Sequence, residues 1–538
     1  MITTAQLLIR LLTDSGVRLI FGIPGVHTVE FYRDFPQDRI RHITPRHEQG
    51  AAFMAYGYAF ATGRPGVCML ITGPGVLNAA TAIAEAYSDS LPMLVIAAGN
   101  LRGELGVGRG ALHEMRSQVK VEEQISAFSH LLLDAANLEE IFARILSLFE
   151  TRRPRPACLE IPRDLFNIEA PDVTGEWSRG HRPCAPRETL AEAAACLRRA
   201  GRPLIIAGGG SWEAAEEICM LSRRLAIPVV TTNAGKGTVP ETDALSLGSS
   251  LPFRPVQEFI RSTDVVLAVG TELGETDLLY TCEAYKIEGR LIRIDIDPKQ
   301  LTKNYRPSLC ILSDARSALR GILEHLGDDS APPEVSAERE SNIAAVRASL
   351  SGQWSADAPK HKKILDILME CLQPDAIVCA DSTQLAYTGN HYFRSKRPRT
   401  WLFPNGYGTL GSALPAAIGA RLGAPTRQVV CIVGDGSFLY TVQELASAVE
   451  NRVGFPVILW NNQGYGEIRD SMLSAGIAPI GVDLYTPDFV SMAQSFGCHS
   501  VRLTRLHDLA GMVEGAMLAE RPTVIEIDAN ALFWTGIR

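Results

Sequence analysis

Short apolar segments alternate with longer stretches of helical periodicity along the chain of 538 residues. The apolar segments are rich in β-branched residues and end in Gly, Pro, Asp or Asn, as buried strands followed by turns do. Strands that alternate with helices predict mostly parallel sheets covered on both faces. Ligands bind such sheets at the carboxyl ends of the strands, which directs attention to the turns. The clearest segments are 17–25, 66–75, 92–100, 203–211, 264–272, 290–298, 376–383, 428–436 and 456–462.

Two polar segments divide this pattern into thirds of domain size. Residues 171–188 are rich in Pro and Gly, and residues 327–340 are charged, with a Pro pair and no apolar period. Segments of this kind are typical of linkers. We therefore predict an α/β protein of three doubly wound parallel-sheet domains, over 1–170, 186–328 and 355–538.

Composition narrows the class of protein. Apolar residues make up 46% and charged residues 21% of the chain, which is ordinary for a folded soluble protein. The net charge of −8 argues against nucleic acid or an anionic membrane as a partner. The 11 cysteines form no C-x-x-C pair, which favours reduced thiols in the cytoplasm. Residues 1–17 predict an amphipathic helix rather than a signal peptide, and the apolar run 91–98 is too short to cross a membrane.

The sharpest chemical signal is the sequence GDG at 434–436. A 24-residue stretch separates it from Asn461 and Asn462, which end the next predicted strand. A strand, helix and strand in this order bring Asp435 and Asn462 to neighbouring strand ends. A carboxylate, an amide oxygen and backbone carbonyls suit Mg²⁺, and glycines at a helix N-terminus suit a diphosphate. For GDG alone an ordinary turn is the safer interpretation, but not for the two sequences together.

The pattern GDG-x24-NN resembles the thiamine-diphosphate binding motif of the family that contains acetolactate synthase, pyruvate decarboxylase and benzoylformate decarboxylase. Most of residues 45–100, including RHEQGAAFMA, and NGYGTLGSALPAAIGA at 405–420 also resemble that family. The resemblance covers nearly the whole chain. It implies a pyrimidine-binding first domain, a central domain and a diphosphate-binding third domain. It also implies active sites between two subunits, and hence a homodimer or a homotetramer.

The resemblance implies roles for individual residues. Ligation of Mg²⁺ falls to Asp435, Asn462 and the backbone carbonyl of Gly464. Leu410 matches the large apolar residue that lies under the thiazolium ring and bends the cofactor. The other residues expected to contact the cofactor are Thr383, Gln384, Gly408, Gly434, Gly436, Ser437 and Tyr465.

Glu48 is the best catalytic candidate. The sequence HEQGA could suggest a zinc-protease helix, but Ala51 stands where the second His is needed. A solvated helix face is the plain alternative. The resemblance implies instead that Glu48 shares a proton with the aminopyrimidine ring of thiamine diphosphate and so promotes formation of the thiazolium ylid. The apolar residues 51–55 suit the dry pocket that this chemistry requires.

Two histidines follow predicted turns. His27 follows the strand sequence IFGIPGV, and His113 follows the glycine-rich loop GELGVGRG. A lone histidine is more often structural. The resemblance makes both catalytic candidates, able to protonate the enamine intermediate or to orient a carbonyl. One carboligating branch has His at the position of His27, whereas the synthases typically have Gln at that of His113.

Three functions compete at this point. The first is decarboxylation of a 2-oxo acid through ylid and enamine intermediates. The second is a carboligase of the acetolactate-synthase type, which joins the same enamine to a second carbonyl. The third is a non-catalytic binding module, which is the weakest because Glu48, Asp435 and Asn462 are all present. The absence of Trp after the NN motif and of Gln at position 113 favours an acceptor different from that of the synthases, or only a proton.

A narrower resemblance suggests a substrate. The segments RHEQGAAFMA, RGALHE, NNQGYGEIRDSM and PIGVDLYTPDF resemble the 5-guanidino-2-oxopentanoate decarboxylase branch. A guanidinium needs a carboxylate partner, for which Glu114, Glu467 and Asp470 are candidates. Ordinary surface charge is the alternative for each. The other residues expected to contact the substrate are Val26, Thr72, Leu112 and Ile468.

The central domain gives little sign of a flavin. Its glycine-rich sequence GGGSWEA at 208–214 is not G-x-G-x-x-G, because position 213 is Glu. The Arg–Phe–Asp–Asp-type segment expected in the flavin-containing synthases is absent after Thr271. FAD is therefore not expected, and the central domain is interpreted as structural.

Overall fold

The computed structural model describes residues 2–171, 180–278, 286–350, 354–355 and 357–535. The chain forms two compact units. The first comprises Met1–Gly180, Ile377–Gln384 and Gly406–Phe533, and the second comprises His181–Ala376, Leu385–Asn405 and Trp534–Arg538. Three parallel sheets with interleaved helices confirm the predicted fold class.

The first sheet lies in the first unit. Its strand order is β3-β2-β4-β5-β7-β6, all parallel, and β1 pairs with β8 in a small antiparallel ribbon. The elements are β1 (Ile2–Thr3), α1 (Thr4–Asp14), β2 (Leu19–Gly22), β3 (Arg41–Ile43), α2 (Glu48–Thr62), β4 (Gly66–Leu70), α3 (Pro74–Ser88), β5 (Met93–Gly99), α4 (Gln118–Ile125), β6 (Phe128–Leu131), α5 (Leu138–Thr151), β7 (Ala157–Pro162) and β8 (Glu169–Ala170).

The strand order of this sheet reverses between β2 and β4. The loops that leave the two strands therefore diverge and open a crevice, which is where ligands bind in doubly wound sheets. His27 lies in the loop after β2, and Thr72 lies in the loop after β4. The fold thus brings together two residues that are 45 positions apart in the chain.

The second sheet lies in the second unit and has the strand order β11-β10-β9-β12-β13-β14. Its sequence order, 3-2-1-4-5-6, is that of dinucleotide-binding folds. The elements are α6 (Arg187–Arg199), β9 (Pro203–Ala207), α7 (Ala215–Leu225), β10 (Val229–Thr231), β11 (Ser246–Gly248), α8 (Arg254–Arg261), β12 (Val265–Val269), β13 (Arg290–Asp295), β14 (Leu309–Leu312), α9 (Ala315–Leu326), α10 (Pro333–Ser349) and α11 (Ala358–Cys371).

The linker predicted over 327–340 is wrong from Pro333 onward. Helix α10 begins at that residue, where proline is favoured because its missing N–H needs no partner. Only Ile343 of the helix is fully buried, and it packs against the second sheet with Val346 and Leu350. One buried position in 17 residues gives no visible apolar period, which explains the error. In the other predicted linker, 172–179 lie outside the described residues and α6 begins at Arg187.

The third sheet has the parallel order β15-β17-β18-β20-β19 within the first unit. The helix predicted within 437–460 is present but interrupted, because α14 ends at Thr441 and α15 begins at Glu444. The elements of this part of the chain are β15 (Ile377–Ala380), α12 (Gln384–Tyr392), β16 (Trp401–Leu402), α13 (Ala413–Gly423), β17 (Val429–Gly434), α14 (Asp435–Thr441), α15 (Glu444–Glu450), β18 (Pro456–Asn461), α16 (Gly466–Ser474), α17 (Phe489–Ser495), β19 (His499–Arg502), α18 (Leu509–Met517) and β20 (Thr523–Asp528).

Helices α2 and α13 cross with their backbones in contact. A Cβ added to Gly57 would lie 2.0 Å from the carbonyl oxygen of Ala416, and one added to Gly419 would lie 1.8 Å from that of Met54. Residues 50–61 of α2 are all buried. The glycines permit this close approach, which fixes the helix that begins at Glu48.

Candidate active site

Three loops of the third sheet meet at one edge, the one formed by the carboxyl ends of the neighbouring strands β15, β17 and β18. Strand β17 pairs with β15 on one side and with β18 on the other. Asp435 begins α14 just after β17, and its side chain is 1% exposed. Its Oδ2 accepts a hydrogen bond from the N–H of Gly464 at 2.9 Å. The predicted metal ligands Asp435, Asn462 and Gly464 therefore share this edge.

The side-chain amide of Asn462 lies between two oxygen atoms, with one of its terminal atoms 3.1 Å from Asp435 Oδ1 and 2.7 Å from the carbonyl oxygen of Gly464. When the amide oxygen takes this position, three oxygens face one another; when the amide nitrogen takes it, the nitrogen donates to both partners. Adjacent ligands around an octahedral Mg²⁺, each at about 2.1 Å, are about 3 Å apart. A cation among the three oxygens would make their arrangement favourable. In its absence, the amide of Asn462 would rotate and donate to both partners.

The surroundings of Asp435 also suit a cation. Burial raises the pKa of Asp435 to about 6, although backbone N–H groups, that of Gly436 first, lower it. A carboxylate taken out of water is stabilised by a nearby positive charge. No cluster of three His, Cys, Asp or Glu side chains occurs within the described residues. The donor set here is the mixed one that the sequence predicted: a carboxylate, an amide and a carbonyl.

Gln384 links this edge to helix α16. Its Oε1 accepts from Asn462 Nδ2 at 3.0 Å, and its Nε2 donates to Asp470 Oδ2 at 3.1 Å. Glu467 lies on the same helix, and burial raises the pKa of its carboxyl. The side chain of Ile468 is exposed. Gln384 is thus a polar bridge between the oxygen set and two acids.

The predicted diphosphate contacts lie where the backbone closely approaches other groups. A Cβ added to Gly434 would lie 2.9 Å from Thr383 Oγ1, and one added to Gly436 would lie 2.8 Å from the ring of Tyr465. Ser437 is buried, and its hydroxyl lies 3.4 Å from the carbonyl oxygen of Gly434. Side chains larger than glycine would therefore collide at both positions.

The loop that carries Gly408 and Leu410 is held by Glu85 of α3 and by Asp89, the residue that follows the end of this helix. Glu85 accepts from the N–H of Thr409 at 3.2 Å and from its hydroxyl at 2.8 Å. Asp89 accepts another N–H of the same loop at 3.0 Å. Burial raises the pKa of both acids, and the neighbouring Glu85 raises that of Asp89 further. Gly408 has the left-handed φ of 68°, and Leu410 is half-buried.

Glu48 is the first residue of α2 and is half-buried. Its Oε2 accepts a hydrogen bond from Asn78 Nδ2 at 2.9 Å. The turn before it is held by Glu444, which accepts the N–H of Arg46 at 3.0 Å and that of His47 at 3.1 Å. The carboxylate of Glu48 is therefore oriented by a neighbouring helix and remains accessible.

His27 and His113 form a pair. Their rings lie 5.3 Å apart, centroid to centroid, in an edge-to-face arrangement. His27 is 2% exposed, and its Nδ1 forms a hydrogen bond with Thr72 Oγ1 at 2.8 Å. Its buried Nε2 has no hydrogen-bond partner among the described residues. Burial lowers the pKa of His27, and Arg163 and His113 lower it further, which favours the neutral ring.

Apolar side chains stand exposed around this pair. Val26 is 64% exposed and Leu112 is 59% exposed, each next to one of the two histidines. Large apolar side chains in water are a common feature of surfaces that bind a ligand or another protein. The structure therefore leaves both predicted substrate contacts free to meet a ligand.

Glu114, another predicted substrate contact, is surrounded by the backbone N–H groups of its own loop. Its Oε1 accepts from the N–H of Gly108 at 3.0 Å and of Arg109 at 3.3 Å, and its Oε2 accepts from Gly110 at 2.6 Å and Ala111 at 3.0 Å. These bonds, that of Ala111 first, lower the pKa of Glu114. Its carboxylate is engaged by its own loop.

Many of the sequence-predicted residues thus fall into two sets of contacts, one around Asp435 and one around His27, whereas Glu48 contacts Asn78 and Glu114 contacts the backbone of its own loop. The groups that hold these residues in place belong to none of the sequence motifs. Glu85 stands in a largely apolar stretch of α3 and Asp89 follows the helix directly, which was a usable signal of a buried polar contact. Asn78 and Glu444 carried no such signal. Only the fold brings Asn78 next to Glu48, and Glu444 next to the turn before α2.

Comparison with known proteins identifies the family of the chain. Models of the thiamine pyrophosphate enzymes match three parts of the chain: the N-terminal TPP binding domain at residues 2–121, the central domain at 190–322 and the C-terminal TPP binding domain at 381–527. Together they cover well over half of the sequence. The chain belongs to the thiamine pyrophosphate enzyme family, and thiamine diphosphate is the cofactor that its first and last domains bind.

Curated relatives span nearly the whole chain. A protein named probable 2-ketoarginine decarboxylase AruI, from Pseudomonas aeruginosa, is 46% identical over 506 residues, covering 92% of this chain and 89% of the relative. The acetolactate synthase large subunit of Corynebacterium glutamicum is 29% identical over 99% of this chain and 88% of its own. Acetolactate synthase isozyme 1 of Escherichia coli is 28% identical over 98% and 94%.

No helix within the described residues is both long enough and apolar enough to span a lipid bilayer.

Proposed function

We propose that this protein decarboxylates a 2-oxo acid with thiamine diphosphate and Mg²⁺, and that 5-guanidino-2-oxopentanoate is its substrate. The observation that carries the reaction class is the set of oxygens at Asp435, Asn462 and Gly464, next to the close-packed glycines 434 and 436. The substrate is supported by the 46% identical relative named a 2-ketoarginine decarboxylase, against 28–29% for the synthases.

The cofactor would be held at the edge of the third sheet. Asp435, Asn462 and the carbonyl of Gly464 supply oxygens for Mg²⁺. The N–H groups at the start of α14, with Ser437, Thr383 and Gln384, are suited to the diphosphate. The residues proposed to contact the rest of the cofactor are Gly408, Leu410, Gly434, Gly436 and Tyr465.

Thiamine diphosphate, when bound, stabilises the carbanion left by loss of CO₂ from a 2-oxo acid. The protein must position the substrate and move protons. Glu48 is proposed to exchange a proton with the aminopyrimidine ring, held in place by Asn78 at 2.9 Å. The unpartnered Nε2 of His27 is proposed to meet the substrate, with His113 beside it.

The substrate is proposed to lie between the histidine pair and α16. Thr72, Val26, Leu112 and Ile468 would line the space, and Glu467 would bind the guanidinium. Burial raises the pKa of Glu467, and a cation beside it would favour the charged form of the carboxyl. A charge-assisted pair of this kind discriminates strongly against a substrate that lacks the cation.

A carboligase remains the second candidate. The identity of 28–29% to acetolactate synthases over nearly the whole chain supports it. The presence of His113, where the synthases typically have Gln, and the absence of Trp after Asn462 favour a proton as the acceptor. A non-catalytic binding module is disfavoured by the presence of Glu48 and Asp435.

The proposed assembly is a homodimer, or a homotetramer of two dimers, with each active site completed by a second subunit. Exposed apolar side chains on loops and helices of the first unit support a covered surface there. They are Val26, Val29, Leu77, Val107, Leu112, Tyr407, Tyr440, Ile468, Ile477, Ile480 and Tyr485. Native mass spectrometry of the loaded enzyme tests this, and a monomer that turns over substrate would refute it.

FAD is not part of the proposal. In the second sheet the order reverses between β9 and β12, where a dinucleotide would lie. There the N–H of Gly210 donates to the carbonyl of Gly270 at 3.0 Å, so the backbone closes the crevice. A cytoplasmic location, without nucleic acid or membrane as partners, is proposed from the net charge and from cysteines that, where described, form no disulfide.

One experiment separates these functions. The protein is incubated with thiamine diphosphate, Mg²⁺ and a panel of 2-oxo acids, with and without an acceptor aldehyde, and the products are identified by mass spectrometry. Production of 4-guanidinobutanal from the guanidino acid supports the proposal. A hydroxyketone as the main product supports the carboligase, and no turnover of any acid would revive the binding module.

A further inference from the structure

The loop before His113 is organised around one carboxylate. Four consecutive backbone N–H groups, from Gly108 to Ala111, donate to the two oxygens of Glu114 at 2.6–3.3 Å. Gly108 and Gly110 have left-handed φ values of 71° and 75°, which allow successive N–H groups to point to one side. The loop therefore closes on Glu114 as on a bound anion.

His113 itself has an uncommon backbone conformation. Its φ is 61°, in the left-handed region that non-glycine residues rarely adopt. Such a conformation persists only when neighbouring contacts hold it. Three do so here: the bonds to Glu114 on one side, the bond from Asn100 Nδ2 to the carbonyl of Leu112 at 2.8 Å, and the contact with Gly73.

The turn at 112–114 packs closely against the backbone of Gly73. A Cβ added to Gly73 would lie 2.6 Å from the carbonyl oxygen of His113. Gly73 is in turn held by its N–H, which donates to Gln118 Oε1 at 2.8 Å. Thr72, the hydrogen-bond partner of His27, is the preceding residue. The turn at 112–114 and the turn at 72–73 therefore set the relative positions of the two imidazole rings.

We propose that Glu114 is a positioning residue that acts through His113, and not the partner of a substrate guanidinium. Its oxygens already accept four hydrogen bonds, which saturates a carboxylate of about four lone-pair sites. A guanidinium would have to displace backbone donors that have no other described partner. This inference rests on the proposed function of the histidine pair and refines the role of one of its neighbours.

The first test does not depend on activity. Hydrogen exchange at the amides of 108–111 is compared in the wild type and in Glu114→Ala, with Glu123→Gln as control, because Glu123 is an exposed acid on the adjacent α4. Exchange at 108–111 should accelerate in Glu114→Ala alone, while the core strand β5 stays protected. Unchanged exchange in the loop would overturn the proposal.

The second test separates positioning from recognition of the guanidinium. Kinetics are measured on the guanidino acid and on 2-oxohexanoate, a 2-oxo acid whose side chain carries no charge. Glu114→Ala should lower kcat about 10- to 100-fold for both acids and leave their KM ratio unchanged, since a displaced catalytic group costs rate on any substrate. Loss of affinity for the guanidino acid alone would overturn the proposal.

A double-mutant cycle completes the test. If Glu114 acts through His113, then Glu114→Ala should add little to the loss of kcat caused by His113→Ala. Fully additive losses would contradict the proposal. The affinity for thiamine diphosphate, measured by calorimetry, should be unchanged in all variants. If the wild type turns over neither acid, the proposed function fails, whereas the exchange experiment still judges Glu114.

Discussion

Glu48 and Asp435 are both carboxylates in the first turn of a helix, but their surroundings differ. Asp435 is almost fully buried and faces two other oxygens, whereas Glu48 is half-buried and has Asn78 on one of its oxygens. The first arrangement suits a cation. The second leaves an oxygen available for a proton, as an acid–base group requires.

The contrast predicts different defects in two variants. Glu48→Gln keeps the shape of the side chain and the bond from Asn78 but removes the exchangeable proton. Turnover should fall about 100-fold or more, while calorimetric affinity for thiamine diphosphate stays within a few-fold of the wild type. Glu334→Gln, at an exposed acid of α10, is the control. Near-normal turnover in Glu48→Gln would remove this residue from the mechanism.

Asp435→Ala should act on retention of the cofactor instead. Removal of the buried carboxylate takes one oxygen from the set at Asn462 and Gly464. The rise in Tm that thiamine diphosphate and Mg²⁺ together give the wild type should disappear, because ligand stabilisation depends on affinity. Asp328→Ala, at an exposed acid, should keep the rise. A full cofactor-dependent rise in Asp435→Ala would exclude it as a ligand.

At the scale of elements, the close crossing of α2 and α13 explains why glycine stands at Gly57 and Gly419. Any larger residue there meets backbone, which cannot move aside as the end of a side chain can. The crossing also fixes the start of α2, and with it Glu48.

Gly419→Ala should destabilise the first unit by about 1–3 kcal/mol, because a Cβ would lie 1.8 Å from the carbonyl of Met54. Gly511→Ala is a matched control in α18, where nothing lies within 4 Å of the added Cβ. That variant should be unchanged or up to about 1 kcal/mol more stable, since Ala favours helix. Denaturant unfolding measures both, and equal stability of the two variants would contradict the packing argument.

The sequence allowed the strands to be predicted because each is a short apolar run closed by a turn residue, as at 429–434 and 456–461. Spacing along two such strands was enough to pair Asp435 with Asn462. It could not reveal α10, whose single buried residue leaves no period. Nor could it separate the roles of Glu114 and Glu467, because the difference lies in which backbone amides the fold brings to each carboxylate.

At the scale of the whole molecule, burial is the largest influence on the pKa of several carboxyl groups. Burial raises the pKa of Glu122 to about 7, of Glu160 to about 8 and of Glu444 to about 7. These acids hold protons in the folded chain at a pH where the unfolded chain has lost them. Their contribution to stability is complete below about pH 4, the usual range of the unfolded acid, and is lost as the pH rises through 7 and 8.

The apoenzyme should therefore unfold at a lower temperature at pH 8.5 than at pH 6.5. The Gln side chain of Glu160→Gln cannot ionise. The Tm of this variant should therefore depend less on pH than the Tm of the wild type does. Scanning calorimetry across this interval provides the measurement, and Glu123→Gln, at an exposed acid, provides the control. A Tm that rises with pH in the wild type would show that these groups are ionised in the folded chain.

The crossing of α2 and α13 also has a consequence for biosynthesis. Helix α2 ends at Thr62, but its partner begins only at Ala413. At about 5–20 residues per second, the roughly 350 residues between them take about 20–70 s to translate. Throughout that time the apolar surface of α2 is exposed on the nascent chain, because α13, which covers it in the folded protein, has not been synthesised. The growing chain is thus a natural client for chaperones, and a truncated N-terminal half should aggregate where the complete chain does not.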